Sequence, residues 1–336
     1  VVIFLTDGRP TIGLTSENEI VKNVEKAAGK TRVFSFGIGT DVNAHLLDKI
    51  TEKTRASSQY VTPNEDIEVK ISSFYTKIKE PVLANPKLKF PDGIRVSKLY
   101  PNPLPDLFKG EEIVLVGRYD KAGKGDVLLE GTVNGKQAQS EFGVKFPAEA
   151  DRDFIPRLWA TRRVGYLLDE IRLHGEKAEL KDEVAQLARK YGIVTPYTAY
   201  LIIEDERRRG VPVAARTLRN FEADREVLAQ AKAQFHAFKK DKSGDQAIGS
   251  ARAAKFLKEA KNAQSAYRLS NAEAGQSLGG YGGGRGQLAS GAPAAPGGFI
   301  VPGRKGASGA AGRARQVVQP MQFYGGKNFC QNEKFW

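Results

Sequence analysis

The sequence predicts an α/β fold at its start, the second half of a doubly wound sheet, followed by an antiparallel β-sandwich-like region, a helical pair and a disordered tail. Three observations carry this. Val1-Val-Ile-Phe-Leu5 is a continuous apolar run that ends at Thr6-Asp7-Gly8, the pattern of a parallel strand buried on both faces with a loop at its carboxyl end. Amphipathic helical stretches then alternate with two further apolar strands. Beyond residue 81 the apolar period changes from the helical one to two. A chain of 336 residues with 40% hydrophobic and 27% charged residues holds about two domains with cores of their own.

Within residues 1–64, Ser16 and Glu19 form a capping-box signature ahead of Ile20, Val21 and Val24, and Gly29 stands where a helix stops. Val33-Phe-Ser-Phe-Gly-Ile38 reads as the next strand, Asn43 as the cap of a helix carrying Leu46, Leu47 and Ile50, and Gln59-Tyr-Val61 as a short last strand. Right-handed crossovers place ligands at the carboxyl ends of such strands, where Asp7 falls. A carboxylate there, followed by a glycine that admits close backbone approach, suits a hard divalent cation; it equally suits an Asx turn.

Residues 65–81 read as a connecting helix with Ile67, Ile71, Phe74 and Ile78 at helical spacing. Residues 82–150 form the antiparallel region: Lys87–Phe90, Glu112–Val116, Asp126–Leu129 and Glu141–Phe146 are strand candidates, and Asn134-Gly135 is the strongest hairpin signal in the chain. The prolines of Tyr100-Pro-Asn-Pro-Leu-Pro105 mark an irregular crossing segment. Residues 151–203 give a helical pair and a return strand. The first helix carries Ile155, Trp159, Leu167, Leu168 and Ile171, the second Leu180, Val184, Leu187 and Tyr191, and Gly192–Ile203 reads as extended. Arg157, Arg162 and Arg163 are expected to pair with Asp169, Glu170 and neighbouring acids rather than to bind an anion.

The motifs together resemble a known family. Leu5-Thr6-Asp7-Gly8 after its apolar strand, Val33 to Gly39 and Asp41-Val-Asn-Ala-His-Leu-Leu47 resemble the C-terminal half of a von Willebrand factor A domain. Ile94 to Tyr100, Pro103-Leu-Pro-Asp-Leu-Phe-Lys-Gly110, the Phe154 to Gly175 helix and Tyr191-Gly-Ile-Val-Thr-Pro-Tyr-Thr198 are similar to the region after that domain in bacterial members of the inter-alpha-trypsin inhibitor heavy chain family, in which a VIT domain precedes the A domain. The resemblance covers about residues 1 to 203. It implies a non-enzymatic, secreted or envelope-exposed adhesion or protein-interaction protein with a metal-ion-dependent adhesion site.

Asp7 matches the final aspartate of that site, and Thr6, Gly8 and Arg9 match the loop facing the ligand. The family's D-x-S-x-S loop and its threonine are expected upstream of Val1, with a signal peptide before them, so Mg²⁺, Mn²⁺ or Ca²⁺ would bind in the full-length protein and weakly or not at all here. The implied partner is a protein or matrix-like ligand presenting a carboxylate. The alternatives are an intracellular A-domain scaffold of a metal-chelatase-like complex, and a polyanion or nucleic-acid binder acting through the tail.

Residues 204–336 carry 22 Lys+Arg against 11 Asp+Glu, hence +11 of the chain's net +13. Residues 204–274 read as weakly helical and basic, with apolar residues too sparse for an obvious core. Residues 275–318 are a Gly/Ala/Pro-rich linker, and 319–336 an aromatic terminal segment able to form a short hairpin. Such a tail can hold anionic surfaces, and no specific nucleic acid is expected. The single Gly-Gly-Tyr-Gly-Gly-Gly-Arg-Gly286 run is thin as an RNA-binding motif and lacks the context of a phosphate loop. No run is long enough for a membrane span, one cysteine excludes an intrachain disulfide, and no nucleophile elbow, HExxH or paired-carboxylate pattern supports catalysis.

Overall fold

The computed structural model describes residues 1–6, 9–149, 152, 154–262, 321–324 and 327–330. It divides into two units, Val1–Gly280 and Tyr281–Trp336. Within the first, strands β1 (Val2–Thr6), β2 (Val33–Ile38) and β3 (Ser58–Val61) form a parallel sheet in the order β1-β2-β3, with Thr6 opposite Gly37 and Ile38 opposite Val61. Helix α1 (Glu17–Ala28) connects β1 to β2, α2 (Ala44–Lys53) connects β2 to β3, and α3 (Ile67–Ile78) follows.

Their caps differ. Asn43 accepts from the Leu46 amide at 3.0 Å, and Asp66 accepts from Glu68 and Val69 at 2.8 and 3.1 Å. Ser16 stands at the α1 N-cap, yet its hydroxyl makes no cap bond, so the anticipated capping box does not form. Phe74 of α3 meets Phe34 and Phe36 edge-on at 5.0 Å, and Val21, Leu46 and Ile50 join α1 to α2.

β1 departs from the expectation of a strand buried on both faces. Val2, Ile3, Phe4 and Leu5 are all exposed. Among the described residues β1 pairs with β2 alone, and the apolar faces of the described helices lie over β2 and β3 instead.

The antiparallel region comprises β4 (Pro81–Lys89), β5 (Val96–Tyr100), β6 (Leu107–Phe108), β7 (Val116–Tyr119), β8 (Gly123–Val133) and β9 (Lys136–Phe146), arranged as a β6-β4-β8-β9 sheet and a β5-β7 pair. Asn134 and Gly135 both take positive φ, 48° and 79°, between Val133 and its partner Lys136, the geometry of a type I′ hairpin turn. Glu112–Leu115 is not a strand. The β5-β7 ladder begins only at Tyr100 and Val116, and upstream of it the Val114 carbonyl accepts from the Arg162 guanidinium rather than from a neighbouring strand.

The helical layer holds α4 (Phe154–His174), α5 (Ala178–Tyr191), α6 (Pro196–Arg208), a 3₁₀ turn (Val213–Ala215), α7 (Arg219–Ala223), α8 (Arg225–Lys240) and α9 (Asp245–Lys258). The expected return strand is instead α6. Its β-branched residues argue for a strand, but Pro196 occupies the first turn, where a missing N–H costs nothing, and Thr195 and Thr198 exchange side-chain-to-backbone bonds at 3.2 and 2.8 Å. Helix formation then buries Leu201, Ile202 and Ile203 together.

The segment anticipated to lack a core is packed in its described part. Phe235, Phe238 and Leu257 are buried among Leu158, Val164, Leu168 and Tyr197. The periodicity of large residues misses this because Ala231, Ala253 and Ala254 do much of the packing. Gly165 lets α4 and α9 approach closely: a Cβ there would stand 2.7 Å from both Leu257 Cβ and the Lys258 backbone nitrogen.

The α4 arginines avoid anion chemistry, though not through the acids expected. Arg163 pairs with Glu183, Arg162 donates to the carbonyls of Ala260, Tyr100 and Val114, and Arg157 donates to Gly192 O at 3.4 Å. Asp169 pairs with Arg172 and Lys258, and Arg172 also with Asp48, which joins α2, α4 and α9 through buried charge.

In the second unit, β10 (Met321–Tyr324) and β11 (Lys327–Cys330) form an antiparallel pair with Met321 opposite Cys330, inside the aromatic terminal segment. The 275–318 linker lies outside the described residues. Among the described residues no helix is long and apolar enough to cross a membrane.

Candidate ligand-binding face

The parallel strands end together. Thr6, Ile38 and Val61 terminate β1, β2 and β3 at one end of the sheet, so the segments after them converge there. Thr6 is the last residue of β1. Asp7 and Gly8 lie outside the described residues. Arg9, beyond them, pairs with Asp41 of the β2–α2 loop, with both side chains largely in solvent. The structure therefore brings Thr6 and Arg9 of the anticipated site to the carboxyl end of the sheet, next to a loop that the sequence motifs did not mark as part of it.

The acids around this end are engaged with neighbours. Glu17, at the start of α1, receives the Asn43 carboxamide at 2.9 Å, faces His45 Nδ1 at 2.8 Å and pairs with Lys242 at 3.1 Å. The His45 hydrogen bond in particular, with Asn43 and Lys242 and against the effect of burial, lowers the Glu17 carboxyl to about 2. Glu65, after β3, accepts from Thr62 and pairs with Lys70 and Arg252; burial opposes ionisation, and these partners overcome it to leave the group at about 2. Asp41 is held by Arg9. These carboxylates are already engaged by cationic or amide partners, so the described residues do not assemble an oxygen shell for a hard cation at this end. Asp7 has the donor chemistry for such a shell.

Three metal-ligating side chains do meet elsewhere: Glu52, Glu170 and His174 bring ligand atoms within 4.8 Å of one another. They sit where α2 and α4 end, and α2 runs back from the carboxyl end of the sheet, so this group is at the opposite end. The His174 imidazole is already hydrogen-bonded to Glu52 at 3.0 Å.

Sequence reasoning missed Glu17, Asp41, His45 and Lys242 as parts of the face. Asn43 was legible only as a helix cap, and Glu17 and Lys242 are 225 residues apart with no local pattern linking them. Basic residues of the described tail segment pair with acids of the preceding chain: Lys239 with Glu176, Lys242 with Glu17, Arg252 with Glu65, Lys258 with Asp169.

No family model matches the chain. Inter-alpha-trypsin inhibitor heavy chain H2 of Sus scrofa is 30% identical over 223 residues, covering 61% of this chain and 23% of that protein. Heavy chain H4 of Homo sapiens is 26% identical over 242 residues, 67% of this chain and 26% of its own length. Heavy chain H6 of Homo sapiens is 30% identical over 240 residues, with 64% and 18% covered. The chain thus spans about a quarter or less of these relatives, and over some two thirds of its own length it is similar to inter-alpha-trypsin inhibitor heavy chains. Among solved structures, the ArnB paralog VWA2 of Sulfolobus acidocaldarius aligns over 76% of this chain and 62% of its own, at 13% identity and a TM-score of 0.33, too loose a superposition to bear on fold or function.

Proposed function

We propose that this chain is part of a non-enzymatic protein-interaction molecule that works as an A-domain binder, with the carboxyl end of β1, β2 and β3 as its ligand face. The observation that carries the reading is the convergence of Thr6, Arg9 and the Asp41-bearing loop at that end, in a chain whose relatives are inter-alpha-trypsin inhibitor heavy chains. Asp7 would hold Mg²⁺ or Mn²⁺ through a carboxylate oxygen. A cation held there would supply a positive centre for a partner's carboxylate. Arg9, beside it and largely in solvent, adds a second cationic contact once it leaves Asp41. Secretion is part of the same proposal.

The test is a melting curve of the full-length protein with and without Mn²⁺. A cation that binds only the folded state stabilises it by about 3 kcal/mol at a hundredfold excess over Kd. The expected result is a raised Tm that Asp7→Ala abolishes. An unshifted parent, or an equal shift in the variant, refutes the reading.

A further inference from the structure

The turn between α8 and α9, residues 241–244, comes from the far end of the described chain yet seats against the β2–α2 loop, residues 39–43. Two backbone bonds join them: the His45 amide donates to Lys242 O at 3.1 Å, and the Gly244 amide donates to Val42 O at 3.3 Å. A side-chain network adds to these, with Lys242 Nζ 3.1 Å from the Glu17 carboxylate that also takes Asn43 and His45. Gly244 adopts φ 89°, which favours glycine at the point where the turn meets the loop. Below the turn, Ala247, Ile248 and Ala251 of α9 share a core with Val42, Ala44, Leu47 and Tyr60. Farther along, Arg252 and Lys255 donate to Tyr60 O and Ser58 O, carbonyls on the outer edge of β3.

The loop is therefore held from two sides. Arg9, from the segment after β1, takes Asp41, and the α8–α9 turn takes Val42, Asn43 and His45 through main chain and Glu17. Helix α9 is anchored by its buried apolar face, whereas the turn is fixed by two backbone bonds and one partly exposed ion pair. The turn is thus the weak, adjustable end of a strongly seated helix.

We propose that the α8–α9 turn is a positioning element of the ligand face, and that Lys242, through Glu17, sets how firmly the β2–α2 loop is held there. The inference rests on the assignment of that end of the sheet as the binding face. Loss of the Lys242 contact loosens the loop, and a ligand or cation that needs the loop in place then binds more weakly because part of its binding energy goes into ordering it.

The experiment compares the full-length parent with Lys242→Glu and Lys242→Arg, using hydrogen exchange on peptides covering residues 39–45 and a titration with Mn²⁺ alone. The Lys242 side chain is 58% exposed, so both variants are expected to fold. In Lys242→Glu, exchange of 39–45 quickens while that of 46–51 is unchanged, and the apparent Mn²⁺ affinity falls about two- to fivefold, the size of one exposed ion pair. Lys242→Arg restores both. Unchanged exchange of 39–45 in Lys242→Glu overturns the brace. Faster exchange with an unaltered Mn²⁺ affinity overturns its role in positioning the face. A parent that shows no Mn²⁺ response refutes the proposed metal-dependent function instead, and the exchange measurement then decides alone whether the turn holds the loop.

Discussion

Truncation of Trp159 to alanine removes a side chain by which α4 touches both strands of the β5-β7 pair. The ring is 5% exposed, and a buried indole removes roughly 200 Å² from water, which at about 25 cal/mol per Å² corresponds to about 5 kcal/mol as an upper bound. Its Nε1–H also donates to the Lys98 carbonyl of β5 at 3.0 Å, worth about 1 kcal/mol. The Arg118 guanidinium of β7 lies 5.4 Å from the ring centroid and adds a smaller attraction. Neighbours relax partly into the space, so the expected loss is about 3 to 5 kcal/mol. Trp159→Phe keeps most of the area but strands the Lys98 carbonyl, for a loss of about 1 to 2 kcal/mol. Urea unfolding followed by far-UV circular dichroism measures both. If Trp159→Ala unfolds within 1 kcal/mol of the parent, a resolution set by the linear extrapolation, the anchoring role is refuted.

Arg172→Ala leaves the largely buried Asp48 without its cation, and Asp169 with Lys258 as its remaining one, and should cost about 3 to 5 kcal/mol; a calorimetric loss under 1 kcal/mol would show that the network is not buried in solution. Gly165→Val places methyl groups where Leu257 and the Lys258 backbone already sit, so amide protection over residues 245–258 should fall below the parent's while that of the β8–β9 hairpin stays; parent-like protection over 245–258 contradicts the close α4–α9 approach. Glu17, lowered by its His45 bond, and Glu183, lowered by its Arg163 bond, both titrate at about 2 against an unperturbed 4.5, so each binds its proton more weakly folded than unfolded. Their stabilisation is therefore complete above pH 4.5 and lost as pH falls toward 2. Denaturant midpoints should drop over that window, less so in Glu17→Gln, and a flat profile would speak against both pairs.

How far the sequence reached depended on the kind of signal. The parallel strands, the Asn43-capped helix, the helix carrying Ile67, Ile71, Phe74 and Ile78, and the Asn134-Gly135 hairpin rest on local chemistry, so they were legible. The α6 helix was misread because β-branched residues outweighed Thr195 and Pro196 in a pattern argument, although the cap and the burial of Leu201 to Ile203 decide it. The α8 and α9 core was missed because alanines pack by closeness rather than by size. The exposure of β1 could not be foreseen from an apolar run, since the run reports what a strand can bury and not what covers it. At the candidate face, Thr6 and Arg9 were placed by motif, whereas the Glu17–His45–Lys242 contacts arise only from tertiary folding.

Paramagnetic broadening of amide resonances by sub-stoichiometric Mn²⁺ in the isotope-labelled full-length protein shows where the proposed divalent cation binds, and the carboxyl end of β1, β2 and β3 is the expected place. Thr6, Arg9 and residues 39–41 should broaden first, with His174 and Glu52 at the opposite end unaffected. Broadening that begins at Glu52, Glu170 and His174 while Thr6 and Arg9 stay sharp would contradict the account.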